Sequence, residues 1–289
     1  MRLGFRIASV ALCIATSQAQ AQSIDGLLSN VTDTLSDVTD VVIPGITNIR
    51  VGIGPVFAPA YEGSDDYNIK AAPLISLRYR DLVQVDNNQI RVNVFGSDSL
   101  FRSENFRAGP LLNIDFGRDE SDSQDLAGLG DVGTSIELGL FASYSMGPAR
   151  LRVRGRQDIA SGHSGLTITT DLGVAIYRSE RLAVTGSIST TWADGNYIDS
   201  YFGVTTVQSA SSGMAAFDAT STFKDISLAF GGNFAMSRQW ALVGNIGYSK
   251  LLGDAKNSPI VAIQETPTIN QGVGSSNQFL GGLWAVYSF

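Results

Sequence analysis

The chain has 289 residues, a formal charge of −7, 31 glycines and only 16% charged residues. That acidic balance excludes a nucleic-acid binder, which needs a basic footprint. The single cysteine, Cys13, excludes a disulfide framework, and the glycine-rich, charge-poor composition suits many short strands better than helices.

In chain order, the first element is "MRLGFRIASVALCIATSQAQA". Arg2 and Arg6 form a basic start, Ile7 to Ala15 an apolar core too short to span a bilayer, and Ala19-Gln20-Ala21 a small-residue cleavage pattern. Residues 1–21 are therefore expected to be a secretory signal peptide. Leu12 is too large to precede a lipidated cysteine, so no lipoprotein is expected, and the processed chain has no thiol. Its charge falls to −9, because the leader carries two bases and no acid. Residues 22–48 place Ile24, Leu27, Leu28, Val31, Leu35 and Val38 at helical spacing up to Pro44-Gly45. This acidic segment, with Asp25, Asp33, Asp37 and Asp40 and no base before Arg50, is expected to be a weak amphipathic helix or a flexible periplasmic leader.

From residue 49 the period becomes two. "IRVGIGPVF", "FRAGPLLNIDF", "LTITTDLGVAIY" and "WALVGNIGY" each alternate two faces. The same alternation recurs near 68–78, 83–86, 90–95, 132–146, 149–158, 181–193, 220–235 and 277–289. The terminal strand puts Phe279, Gly281, Leu283, Ala285, Tyr287 and Phe289 on one face and Gly282, Trp284, Val286 and Ser288 on the other. No apolar run after the leader approaches the ~20 residues of a spanning helix, so a membrane passage must be a closed barrel. Twelve segments predict an all-β, antiparallel transmembrane barrel over residues 49–289. Tight turns near 81, at 147–148, 178–180 and 236–238 fall at one end, and long connections at 117–131, 194–219 and 252–276 at the other. Outer-membrane barrels segregate their loops in this way, with short turns periplasmic. Both termini are then expected in the periplasm of a Gram-negative envelope, in contact with outer-membrane lipid and lipopolysaccharide.

Several stretches resemble the MipA/OmpV family, named after the MltA-interacting protein. They are "YEGSDDY" (61–67), "GRDE" and "LAGLGDV" (117–132), "RQDIASGHSGL" (156–166), "SYFGVT" (200–205), "GYSKLLGDAKNSPIV" (247–261) and "NQFLGGLWAVYSF". They run in order from about residue 49 to 289, while residues 22–48 have no counterpart. The resemblance implies an outer-membrane barrel, and for the namesake a scaffold joining a murein-degrading lytic transglycosylase to a murein polymerase. Relatives associated with porin-like uptake or adhesion leave a second reading open. The terminal Tyr287 and Phe289 resemble the signal read by the barrel-assembly machinery, so deleting Phe289 is expected to impair assembly.

No catalytic, cofactor or metal residue is assigned. The sole histidine, His163, neighbours Ser164, but adjacent residues usually point apart, and a serine hydrolase needs an aligned base and a third orienting group. His163 is therefore expected in a surface loop, and a lone histidine offers no transition-metal cluster. "DFGRDESDSQD" lacks the sixth-position glycine and the closing glutamate of a calcium loop, and Gly52-Ile53-Gly54 precedes no helix, so it is no nucleotide loop. The informative stretch is "ARLRVRGRQD", which puts Arg150, Arg152, Arg154 and Arg156 on one face. An arginine facing lipid costs ~2–4 kcal/mol near the midplane, so all four are expected to line the lumen, against Glu137 and Asp171 on neighbouring strands. Arg50, Lys70, Arg78, Arg91 and Arg107 join them, making nine inward bases against Asp115, Glu137, Asp171 and Asp225. That excess leaves a packed polar interior and an anion-favouring channel as equal alternatives. It also allows the acidic leader to enter the periplasmic mouth beside Arg150, Arg152 and Arg154, or to hang free as a tail.

Overall fold

The computed structural model describes residues 47–261, 264–266, 269–271 and 274–289. The signal peptide and residues 22–46 of the leader lie outside the described residues. Twelve antiparallel strands close into one barrel. They are β1 (Thr47–Pro59), β2 (Tyr67–Tyr79), β3 (Val83–Asp86), β4 (Gln89–Val92), β5 (Phe106–Asp115) and β6 (Ser135–Met146). They continue with β7 (Ala149–Asp158), β8 (Leu166–Arg178), β9 (Leu182–Ala193), β10 (Thr222–Ala235), β11 (Trp240–Leu251) and β12 (Asn277–Ser288). Each strand pairs with its sequence neighbours, and β1 meets β12 from Arg50↔Ser288 to Phe57↔Gly281. Both ends of the barrel lie at the tight-turn end, where the Phe289 N–H donates to the Ile49 carbonyl at 3.0 Å.

The two-residue alternation is what makes each strand a wall element. Ile53, Leu140, Ile188, Ile246 and Leu283 are exposed on the outer face, while Val56, Val243, Trp284 and Val286 are buried on the inner one. Aromatics ring the outer face at both rims. Phe57 stacks on Tyr67 at 4.7 Å and Tyr248 meets Phe279 at 5.2 Å at the loop end. Trp240, Tyr287 and Phe289 form a chain of edge contacts at the turn end. An apolar band between two aromatic girdles is the exterior of a membrane-spanning barrel.

The loop-length rule holds with two exceptions. At the loop end β3 and β4 are joined by residues 87–88 alone. At the turn end, residues 93–105 form a larger connection in which Phe95–Gly96 pairs with Phe101–Arg102. The three long loops fold into a cap that carries helices α1 (Gly195–Phe202), α2 (Thr206–Ser212) and α3 (Gly253–Asn257). Tyr197, Ile198, Tyr201 and Phe202 of α1 pack with Val132, Leu251, Ala255 and Val261, and a second cluster joins Tyr61, Leu126, Leu129, Val204 and Ile260. These loops have cores of their own. Gly165 permits that docking, since a Cβ there would lie 2.5 Å from the Tyr197 backbone nitrogen.

Barrel closure depends on a similarly close approach at Gly54, where a Cβ would stand 1.8 Å from the Leu283 carbonyl oxygen of β12. Gly54→Val should therefore abolish the heat-modifiable folded band on a gel, because backbone cannot yield to it. Gly155→Ala, whose Cβ meets nothing within 4 Å, should leave the band unchanged.

Candidate functional site

The inner wall divides into two chemical halves. β1, β2, β10, β11 and β12 contribute an apolar side built from Val56, Ala58, Leu74, Ala229, Val243, Leu280, Trp284 and Val286. Trp284 is 1% exposed and its indole N–H donates to the Ala72 carbonyl at 3.1 Å, so the ring is locked against β2. β5 to β8 contribute the charged side. Arg152 and Arg154 are buried and Arg150 and Arg156 half-buried on the face shared with Glu137 and Asp171. Arg154 pairs with Asp171 at 3.2 Å and Arg156 with Glu137 at 3.2 Å, while the Arg150 Nε donates to the Ser145 hydroxyl at 3.0 Å. Tyr287 and Phe289 face outward in the turn-end girdle.

The interior holds more acid than the four inward carboxylates counted from the sequence. Asp86 pairs with Arg91 at 2.9 Å, Asp81 takes Arg107 at 2.8 Å, and Asp158 is buried at the top of β7. Lys224, buried beside Asp225 at 2.8 Å, pairs also with Glu62 of the first loop. A register shift in the β9–β10 ladder places Lys224 and Asp225 together on the inner side. The expected excess of inward bases is thus largely met by carboxylates missing from that count, Asp86 and Asp158 on the inward faces of their strands and Asp81 and Glu62 in connections. Lys70 departs from the others in a different way, being exposed although its inner-face neighbours Leu74 and Val56 are buried.

His163 corrects the sequence reading. It is 2% exposed, not a surface-loop residue, and lies under the cap. Its ring meets Tyr197 edge-on at 4.9 Å and Tyr201 at 5.8 Å. Nε2 lies 3.4 Å from Glu137 Oε1. Glu137 Oε2 accepts from Asn113 at 2.7 Å, and the Tyr201 hydroxyl donates to Asp115 at 3.3 Å. Asp115, Glu137 and His163, separated by 22 and more residues in sequence, bring one ligand atom each within 4.8 Å of one another. The donor chemistry does not suit a cation. The Gly165 N–H donates to His163 Nδ1 at 3.0 Å, so the neutral ring carries its proton on Nε2, the nitrogen that faces the carboxylates. The trio is a polar cluster beneath α1, tied to the cap by the Tyr201–Asp115 hydrogen bond and by the ring contacts of His163 with Tyr197 and Tyr201. Ser164 takes no part: it is exposed, at φ +55°, and its N–H donates to Asp158 at 2.7 Å.

A family model described as MltA-interacting protein MipA matches residues 51–289. The chain belongs to the MipA family. No curated protein matches it. Among solved structures it is similar to an outer membrane channel from Pseudomonas putida F1, with a TM-score of 0.40 and 12% identity over 86% of this chain and 97% of that one. It is also similar to the NanC porin, with a TM-score of 0.40 and 11% identity over 83% and 98%. OmpT of Vibrio cholerae gives a TM-score of 0.36 and 8% identity over 84% and 97%. The closed ring, apolar outer band and aromatic girdles make this MipA-family chain an outer-membrane-type β-barrel, matched by its family model over nearly the whole barrel.

Several stretches that carry the family resemblance coincide with the cap and its anchor. "GHSGL" holds His163 and Gly165, "SYFGVT" holds Tyr201 and Phe202, and "LAGLGDV" holds Leu126, Leu129 and Val132. The Arg118 guanidinium donates to the Tyr201 carbonyl at 2.7 Å, which fastens the 117–131 loop to α1. Burial raises the Tyr201 phenol well above its ordinary value, so the hydroxyl stays a proton donor to Asp115 at any physiological pH.

Two outcomes follow from this geometry. Glu137→Gln removes the charge shared by Arg156, Asn113 and His163 and should cost about 3 kcal/mol or more, as breaking a buried pair does; the urea midpoint of the refolded barrel reads this. In the 117–131 loop, burial holds the Asp122 carboxyl up at about 6, against an ordinary 3.8. A folded-state value raised in this way penalises the ionised form, so stability is full below about pH 4 and declines between about 4 and 6. Asp122→Asn, which keeps an acceptor for the Asp119 N–H, should be more thermostable than the parent at pH 7 and equal to it near pH 4. Thermal loss of the folded gel band at both pH values measures it.

Proposed function

We propose that this barrel is a non-catalytic outer-membrane scaffold whose turn end faces the periplasm and captures murein-remodelling enzymes, a lytic transglycosylase and a murein polymerase. The single observation that carries the reading is the cap. Its helices and packed clusters cover the loop end, and the charged half of the interior is tied into ion pairs, so the barrel is built as a rigid plug-like body rather than an open tube. The family's name for its founding member, MltA-interacting protein, supports the partner class.

The turn end offers a contact surface that the sequence reading, which counted only tight turns there, had missed. In the 93–105 connection Leu100 is 81% exposed, and Phe101 stacks on Phe95 at 4.9 Å. Asp81 holds the connection in place, accepting from the Ser97 N–H at 2.7 Å and from Arg107. An apolar side chain presented on a braced loop outside the girdle is a surface for a protein partner. The acidic leader, residues 22–46, adjoins this end through β1 and is proposed as the second contact.

A specific observation keeps the channel reading as an alternative. Gln89 and Asn245 are buried on the inner wall with neither amide atom hydrogen-bonded among the described residues, a state that water in the lumen would relieve.

Crosslinking in intact cells followed by affinity capture separates the two. Recovery of a lytic transglycosylase, reduced several-fold by Leu100→Asp or by removal of residues 22–44, is the expected result. Anion-selective single-channel conductance of the purified barrel, with no murein enzyme recovered, would overturn the scaffold in favour of the channel.

A further inference from the structure

The barrel wall is incomplete on one side of β2. Toward β1 the strand is paired along its whole length, from Tyr67↔Pro59 to Tyr79↔Thr47. Toward β3 the ladder covers only Ser76 to Tyr79, because β3 and β4 are four residues each. It ends at Ile75, whose N–H donates to the Asn87 side chain and whose carbonyl accepts from the Asn87 N–H, both at 2.8 Å. Beyond Ile75 no strand lies on that side among the described residues.

In an antiparallel strand alternate residues direct both backbone groups to the same neighbour. Since Ile75 faces β3, so do Pro73, Ala71, Ile69 and Tyr67. Pro73 has no N–H to offer, the usual device for blunting an edge against strand addition. That leaves the Ile69 and Ala71 N–H groups as donors on the open edge. Depth makes them significant. Tyr67 belongs to the loop-end girdle and Tyr79 lies toward the other rim, so the edge begins just inside the lipid boundary, where Ile69 is 73% exposed. Unsatisfied backbone in that zone is costly. Lys70 lies between the two donors, on the inner face yet exposed, as the break in the wall would make it.

We propose that this edge is a lateral binding site for the phosphate headgroup of an anionic membrane lipid, with the Ile69 and Ala71 N–H groups as donors and the Lys70 ammonium supplying the charge. Headgroup phosphates reside at girdle depth, where these three groups are. A second copy of the chain does not fit. Two barrels in one membrane are related by an axis along its normal, which makes their β2 strands cross at twice their tilt instead of running antiparallel. An added peptide strand would meet Pro73 where it needs a donor. The acidic 117–131 loop lies at the same end of the barrel and would disfavour anions arriving from solution against those already in the leaflet.

Native mass spectrometry of the full chain purified in detergent and incubated with phosphatidylglycerol or phosphatidylcholine tests this. Phosphatidylglycerol should be retained in preference. Lys70→Ala and Ala71→Pro should each lower retention about tenfold, the size of one charge-assisted hydrogen bond, while Lys70→Arg retains the lipid and all three keep the folded gel band. Equal retention of both lipids overturns the proposal, as does retention that neither Lys70→Ala nor Ala71→Pro changes. A photo-crosslinker at Ala71 that captures only protein in intact membranes would overturn it in favour of a polypeptide on the edge.

Discussion

Inside a bilayer there is no water to accept from an N–H or donate to a carbonyl, so a sheet that spans it must satisfy its backbone from within. Closure follows from this, because only a ring of strands has no edge. The rest of the molecule is arranged around the closing ladder between β1 and β12. That ladder places both ends of the barrel together at the turn end and forces Gly54 against the Leu283 carbonyl. It also aligns the alternation of all twelve strands, so that one face meets lipid and the other a shared interior. β2 is where the rule is relaxed, and the shortness of β3 and β4 is the reason.

Given a closed ring of this size, the interior has to be filled or conduct. The chain fills it asymmetrically. One side carries aliphatic residues and Trp284, and the other carries arginines and carboxylates whose separation across strands is set by the barrel's stagger. Paired charges in a low-dielectric interior are costly to break and of little net benefit to fold. Their value is in fixing register: a one-residue slip of β7 would turn four arginines toward lipid.

The loop end supplies what a bare barrel lacks, a small folded body with its own apolar clusters. It is fastened from below by His163, Glu137, Asp115 and Tyr201 and from the side by Arg118. Membership of the MipA family and the position of its motifs agree in directing attention to this cap and its anchor. The turn end, by contrast, is where a protein on the other side of the membrane would be met, and the 93–105 connection gives it relief.

The twelve segments, their inward and outward faces and the separation of long loops from short turns were legible in the sequence, because a strand's period of two is a local property that each segment displays alone. The four arginines of β7 were legible for the same reason, since lipid excludes charge whatever the neighbours are. What no local pattern carried was register. The stagger between strands decides that Glu137 meets Arg156 and His163. It also decides that Lys224 reaches Glu62 across the mouth. His163 was read as a surface residue because its burial comes from α1 of a distant loop, packed over it through Gly165. The edge that β2 leaves open among the described residues was equally invisible, because it depends on how far β3 reaches beside it. Alternation is written residue by residue in the chain, whereas contact between strands depends on closing the ring, and that only the tertiary structure decided.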